Sequence, residues 1–342
     1  MSDWSVYTGD SDREPHDGID RLPPPPPWRA FDGEPVLSAP RDADDAAAVS
    51  PDRTHRARTY VATPESVQLV NAALVLRRPL LVTGPPGTGK SSLAYAVARE
   101  LGLGPVLRWN ITSRSALADG LYQYDPLSRL YAARQAARRE TVSGGGVEDH
   151  LRLGPLGTAL LPYARPRALL VDEIDKSDLD LPNDLLNVLE EGQYEIPELM
   201  RAARHSAEDA TAEVLADGTD TPVTVTRGRV RCRAFPFVVL TSNGEREFPP
   251  AFLRRCVRLR LRRPGREQLT EIVRAHLDTP PGEAEHLINR FLARAADGEL
   301  ATDQLLNALY LTGVAGLDAD SRDDLAEQLM PYLGTTADGD GF

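Results

Sequence analysis

The apolar positions of this chain fall into short continuous runs separated by stretches of helical spacing. PLLVTG (79–84), RALLVDEID (167–175) and FPFVVLTSN (235–243) each lack the alternation of a half-exposed strand, so they read as strands covered on both faces of a parallel sheet. TPESVQLVNAALVL (63–76) and LPNDLLNVLEEG (181–192) carry apolar residues at helical spacing, the second stopped by Gly192. KSSLAYAVARELG (90–102) predicts a helix directly after a glycine loop, and PVLRWNIT (105–112) and CVRLRLRR (256–263) read as two more strands. After Pro264 the pattern is helical to about Leu333. Strands alternating with helices, then a helical block, predict a parallel α/β domain over 58–263 with a small all-α domain over 264–335 behind it and a flexible tail over 336–342.

Three segments interrupt this pattern. Residues 1–57 are rich in Asp, Pro, Arg and Ala and contain LPPPPPW (22–28). They carry too little apolar surface to offset the entropy of ordering, so a disordered segment is expected, its proline run either a spacer or a ligand for an aromatic groove. Trp28 and Phe31 are the residues able to dock back on the folded body. Residues 198–226 are polar enough to form a surface insertion or a partly disordered loop, and 143–146 form a glycine-rich loop.

The 342 residues suffice for one large and one smaller domain, and the formal net charge of −12 opposes broad binding to a phosphate backbone. Cys232 and Cys256, the only two cysteines, have no metal-ligand or redox spacing, which fits a reduced, cytoplasmic protein. The first residues lack the apolar core of a secretory signal, no run is long enough for a membrane span, and the six histidines lack ligand spacing.

The chemistry is concentrated in a few stretches. GPPGTGKS (84–91) matches the phosphate-loop pattern G-x-x-x-x-G-K-S/T between a strand and a helix. Gly84, Pro85, Pro86, Gly87, Thr88, Gly89, Lys90, Ser91 and Ser92 are therefore the candidate binders of ATP, with backbone N–H groups wrapping the phosphates and Lys90 reaching the β- and γ-phosphates. Ser91 would ligate Mg2+ together with Asp172, at the end of a buried strand. Glu173, one residue further, is placed to polarise an attacking water. Asp175 reads as the cap of the next helix. Asn243 ends the strand VVLTSN and is either a turn asparagine or a polar group offered to that water.

The order phosphate loop, strand-Asp-Glu, strand-Ser-Asn and PPAFLRR (249–255) resembles the AAA+ ATPases. Over about 59–333, WNITSRSALADGLYQYD, LPNDLLNVLEEGQYEIPEL and LTSNGEREFPPAFLRRC resemble the MoxR-like group, whose members are found with von Willebrand factor A (vWA) domain partners. The resemblance implies a P-loop core with five parallel strands in the order 5-1-4-3-2, a C-terminal helical lid, a homo-oligomer (a hexameric ring), and ATP hydrolysed at subunit interfaces to remodel a protein partner. It also implies that Arg255, with Arg254 as second choice, reaches the γ-phosphate of the neighbouring subunit. Many relatives carry an arginine near the start of a lid helix. ELATDQLLNALYL (299–311) has none, which leaves Arg290 or Arg294 as substitutes. Tyr122 and Tyr124 lie where related ATPases face the ring pore, and packing explains them equally well. The rival classes are a nucleic-acid motor, which the acidic balance opposes, and a slow nucleotide-gated switch. TRGRVRCR and VRLRLRR are adequately explained as strand faces.

Overall fold

Five parallel strands form the central sheet: β1 (Leu80–Thr83), β2 (Leu107–Asn110), β5 (Ala168–Asp172), β10 (Phe237–Ser242) and β11 (Val257–Arg260). A second sheet contains β3 (Tyr122–Tyr124), β4 (Leu151–Leu153), β6 (Gln193–Glu195), β7 (Thr211–Leu215), β8 (Pro222–Thr226) and β9 (Arg229–Arg231). This computed structural model describes residues 4–10, 14–38, 40, 50–139, 146–205, 210–277, 281–297, 300–314 and 319–332. The tail 336–342 and most of the glycine-rich stretch 143–146 lie outside them. Among the described residues, no helix is long and apolar enough to cross a membrane.

The central order is β11-β1-β10-β5-β2, which is 5-1-4-3-2 when its strands are counted along the chain. β1 thus lies between β10 and β11, with Thr83 level with both Ser242 and Arg260. On the other side, Asp172 of β5 is level with Asn110 of β2. All residues of β5 and β10 are buried, so their continuous apolar sequence is explained by cover on both faces. Parallel strands leave their C-terminal ends together at one edge, and every candidate residue from the strand ends arrives there.

The helix Pro64–Leu76 starts at a reciprocal cap, in which Thr63 and Ser66 side chains accept each other's backbone N–H. The helix Leu181–Glu191 stops at Gly192, whose φ of +63° is readily available to glycine. The C-terminal helices Arg266–Leu277, Pro281–Asp297, Thr302–Val314 and Ala319–Leu329 pack around their own apolar cluster, including Leu269, Phe291, Leu305 and Met330.

Two segments that read as irregular carry order in their described residues. Residues 211–226 form the β7–β8 hairpin, with Val214 and Val225 buried in the main core. The signal was present in the sequence: the β-branched run VTVT (223–226) follows the turn pair Asp217 and Gly218, and Gly218 adopts φ +73°. The N-terminal segment, where described, is a packed strap. Val6, Tyr7 and Ile19 join the core that covers one face of the sheet. Phe31 stacks on Phe235 at 5.7 Å, whereas Trp28 is 76% exposed. Composition failed here because the folded body offers polar sockets as well as apolar slots. Buried Asn71 accepts from the backbone N–H of Val6 (2.7 Å) and Tyr7 (2.9 Å) and donates to the Tyr7 carbonyl (2.8 Å). Buried Glu100 accepts from the backbone N–H of Thr8 (2.6 Å) and Gly9 (3.0 Å) and from the Thr8 hydroxyl (2.8 Å).

Asn71→Ala would leave those buried strap groups without partners, at about 1–3 kcal/mol for each unsatisfied group. Urea unfolding should show a loss of that order. Deletion of residues 1–38 should lower the melting temperature further, by exposing the core that Val6, Tyr7 and Ile19 cover.

Candidate functional site

The C-terminal edge of the central sheet opens into a cavity of about 970 Å³. Its floor is the loop between β1 and the helix Lys90–Glu100. Gly89 caps that helix with φ +80°, and Gly87 has φ +72°. A Cβ on Gly87 would come within 2.9 Å of Ala301 and Thr302, so the C-terminal helical block rests directly on the loop and leaves no room for a side chain. Pro86, Gly87, Thr88, Gly89, Lys90, Ser91 and Ser92 all line the cavity. Gly84 and Pro85 take part through their carbonyls, each accepting from Lys90 Nζ at 2.8 Å. Burial lowers the Lys90 pKa, against the opposing influence of Asp175, Asp172 and Glu173.

Asp172 is the centre of the polar network. Its Oδ1 accepts from the hydroxyls of Ser91 and Thr241, both at 2.7 Å, and its Oδ2 accepts from Arg108 at 2.8 Å. Burial by itself pushes the carboxyl pKa up. The hydrogen bonds from Thr241, Ser91 and Arg108, with the Arg108 charge, together outweigh burial and hold it below the usual carboxylate range. Arg108 was passed over in the sequence as one residue of a strand. What identifies it is its place in β2 beside the strand that carries Asp172, a neighbour only the sheet reveals.

Glu173 lies in the left-handed region, φ 62° and ψ 47°, an uncommon conformation for a residue with a long side chain. Its backbone N–H donates to the Thr241 hydroxyl at 2.9 Å, so one threonine ties both acids to β10. The half-exposed Glu173 carboxylate lines the cavity and pairs with Lys176 at 2.8 Å. Asn243 also lines it. Asp175 does not cap the following helix. Its buried Oδ2 accepts from the backbone N–H of Asn243 (2.9 Å) and Glu245 (3.1 Å), fixing the turn that carries Asn243, while Asp178 accepts from Leu181 at the helix start.

The remaining candidates separate from this group. Arg254 and Arg255 lie outside the cavity lining; Arg255 Nε donates to Glu190 at 2.8 Å. Arg290 and Arg294 do not replace a lid arginine at the cavity, because both turn to Glu327 of the last helix, at 2.7 and 3.0 Å. Besides Lys90, the arginines at the cavity are Arg56, Arg108, Arg260, Arg262 and Arg263. Alternation in β11 and just beyond it buries Leu259 and Leu261 and leaves Arg260 and Arg262 exposed, so the period of the strand itself could have located them. Tyr122 and Tyr124 are partly buried against the main core, with hydroxyl contacts to Glu198 (2.9 Å) and Arg129 (3.2 Å). Both cysteines are buried, and burial raises each thiol pKa to about 12, far from the range of a reactive thiol.

The residues present fit a magnesium nucleotide. Glycines with positive φ leave N–H groups to face phosphate, and a hydroxyl beside a carboxylate supplies the hard oxygen donors that Mg2+ takes. In a comparison with family profiles, the AAA domain (dynein-related subfamily) matches residues 79–256. That span runs from the start of β1 to the residue after Arg255 and includes the whole polar network. No curated protein matches the chain.

Lys90→Ala should weaken ATP binding by roughly 10- to 100-fold, the worth of a hydrogen bond to a charged group. Among the described residues, Lys90 Nζ donates hydrogen bonds only to carbonyls of its own loop, so circular dichroism and thermal melting should stay at parental values. Calorimetric titration with ATP measures the first effect; parental affinity would remove the phosphate-loop assignment.

Proposed function

We propose, from the premise that the chain belongs to the AAA family of ATPase domains in its dynein-related subfamily, that it hydrolyses ATP at interfaces between copies of itself and uses the cycle to remodel a partner protein. The observation that carries the reading is the convergence of Lys90, Ser91, Asp172, Glu173 and Asn243 around one cavity. Lys90 and the loop N–H groups bind the β- and γ-phosphates. Ser91 and Asp172 would hold Mg2+, which when bound neutralises phosphate charge. Arg108, paired with Asp172, adds a fixed positive charge beside those ligands.

Glu173 polarises the attacking water, helped by Asn243. Its strained backbone lifts the carboxylate out of the strand and towards the cavity, while the Thr241 hydroxyl holds the peptide in place. Lys176 orients the carboxylate through its ion pair.

Arg255 completes the site from the adjacent subunit. Its location outside its own cavity supports a role in trans, since an arginine needed in cis would have to line that cavity. A ring of subunits, six in the MoxR-like proteins that this sequence resembles, satisfies the geometry by placing each Arg255 on the next copy's cavity. The contact between Gly87 and Ala301–Thr302 supports a motor cycle, because any shift of the phosphate loop is felt by the helical block at once. The same resemblance supports a partner with a vWA domain.

Glu173→Gln should bind ATP with near-parental affinity and lose turnover, since an amide cannot polarise water. Arg255→Ala should retain binding and lose about 10³-fold or more in rate. Mixed under conditions that exchange subunits, the two variants should regain activity at interfaces joining an intact Glu173 to an intact Arg255. No recovery despite demonstrated exchange would rule out the shared site.

A further inference from the structure

Arg255 is held in an unusual way for a surface arginine. Its guanidinium is gripped through one N–H: Nε donates to Glu190 Oε1 at 2.8 Å. Among the described residues, the two terminal amino groups have no hydrogen-bond partner. Arginine presents five donors in a planar fork. A carboxylate on Nε therefore fixes the plane and direction of the group while leaving the pair of terminal nitrogens to meet phosphate oxygens.

Glu190 is itself anchored from behind. It lies in the last turn of the helix Leu181–Glu191, where backbone carbonyls have no partner within the helix. Arg29 of the N-terminal strap supplies one. Its guanidinium lies against the rings of Phe31 (5.3 Å) and Phe235 (4.4 Å) and donates to the carbonyls of Leu189 and Glu190, both at 3.2 Å. The same group donates twice to the Arg77 carbonyl, at 3.0 and 2.7 Å, just past the helix Pro64–Leu76. Arg29 thus ties the ends of two helices together at the residue that grips Arg255.

We infer that Glu190 is a positioning residue for Arg255: anchored through its main chain by Arg29, it aims the guanidinium at the nucleotide of a neighbouring copy. This rests on the trans role of Arg255 proposed above. The pair is too exposed to matter for stability, with side chains 27% and 44% accessible, and such surface pairs contribute little. A cost in rate without a cost in stability is therefore the signature of positioning. Glutamine at 190 keeps an oxygen that can accept from Nε, so it should keep much of the alignment that alanine loses.

The test is steady-state ATPase kinetics on the full chain at concentrations where it is assembled, beside thermal melting. Glu190→Ala should lower kcat by about 10- to 100-fold, the scale of a misdirected catalytic group, with KM for ATP and the melting temperature near parental values. Glu190→Gln should recover most of kcat. Arg255→Ala with Glu190→Ala should be no slower than Arg255→Ala alone, because the two act as one unit. Glu190→Ala should also regain activity when mixed with Glu173→Gln, which places the defect on the arginine-donating side of the interface. Parental or increased kcat in Glu190→Ala, beside a crippled Arg255→Ala, overturns this inference and leaves the trans arginine standing. Parental kcat in Arg255→Ala overturns the reading beneath it.

Discussion

One buried carboxylate holds the site together. Asp172 accepts three hydrogen bonds, from the first turn of the phosphate-loop helix through Ser91, from β10 through Thr241, and from β2 through Arg108. Each donor comes from a different part of the chain, so the floor, the far wall and the central strands are registered against a single pair of oxygens. A charge taken out of water must be paired and hydrogen-bonded, and the partners that satisfy Asp172 also line the cavity. Thr241 extends the network by accepting the backbone N–H of Glu173, and Asp175 repeats the device one step along by fixing the turn at Asn243.

Around this centre the molecule is braced from outside. The N-terminal strap satisfies buried Asn71 and Glu100 and sends Arg29 to the ends of two helices. At the phosphate loop, Ala301 and Thr302 press against Gly87. Arg29 acts on backbone carbonyls, and Ala301 and Thr302 meet the backbone of the phosphate loop. Changes in either would reach the chemistry through position alone.

Much of this was legible along the chain. The buried strands declared themselves because cover on both faces demands continuous apolar runs, and the phosphate loop because glycines at fixed spacing before Lys90 and Ser91 have few other uses. The strand order follows from the AAA resemblance and is the order observed. The order of the described strap residues is not legible in composition. Their order comes from a few long-range contacts, and composition averages over a whole segment what three or four residues decide. Tyr7 in its slot outweighs many prolines and aspartates around it.

The sequence by itself indicated the class of fold, through the alternation of buried strands and helices, and the phosphate-loop pattern, whose spacing is complete within a few residues. The two acids were legible only with that loop upstream. Tertiary structure alone decided the partners: Arg108 on Asp172, Asp175 on the Asn243 turn, Glu190 on Arg255, and Arg290 and Arg294 turned to Glu327 rather than to the cavity. Those pairings join residues 33 to 68 positions apart, with the Arg108–Asp172 pair at 64. Nothing in the local chain distinguishes an arginine with such a partner from one facing water; only the packing that brings the two together does.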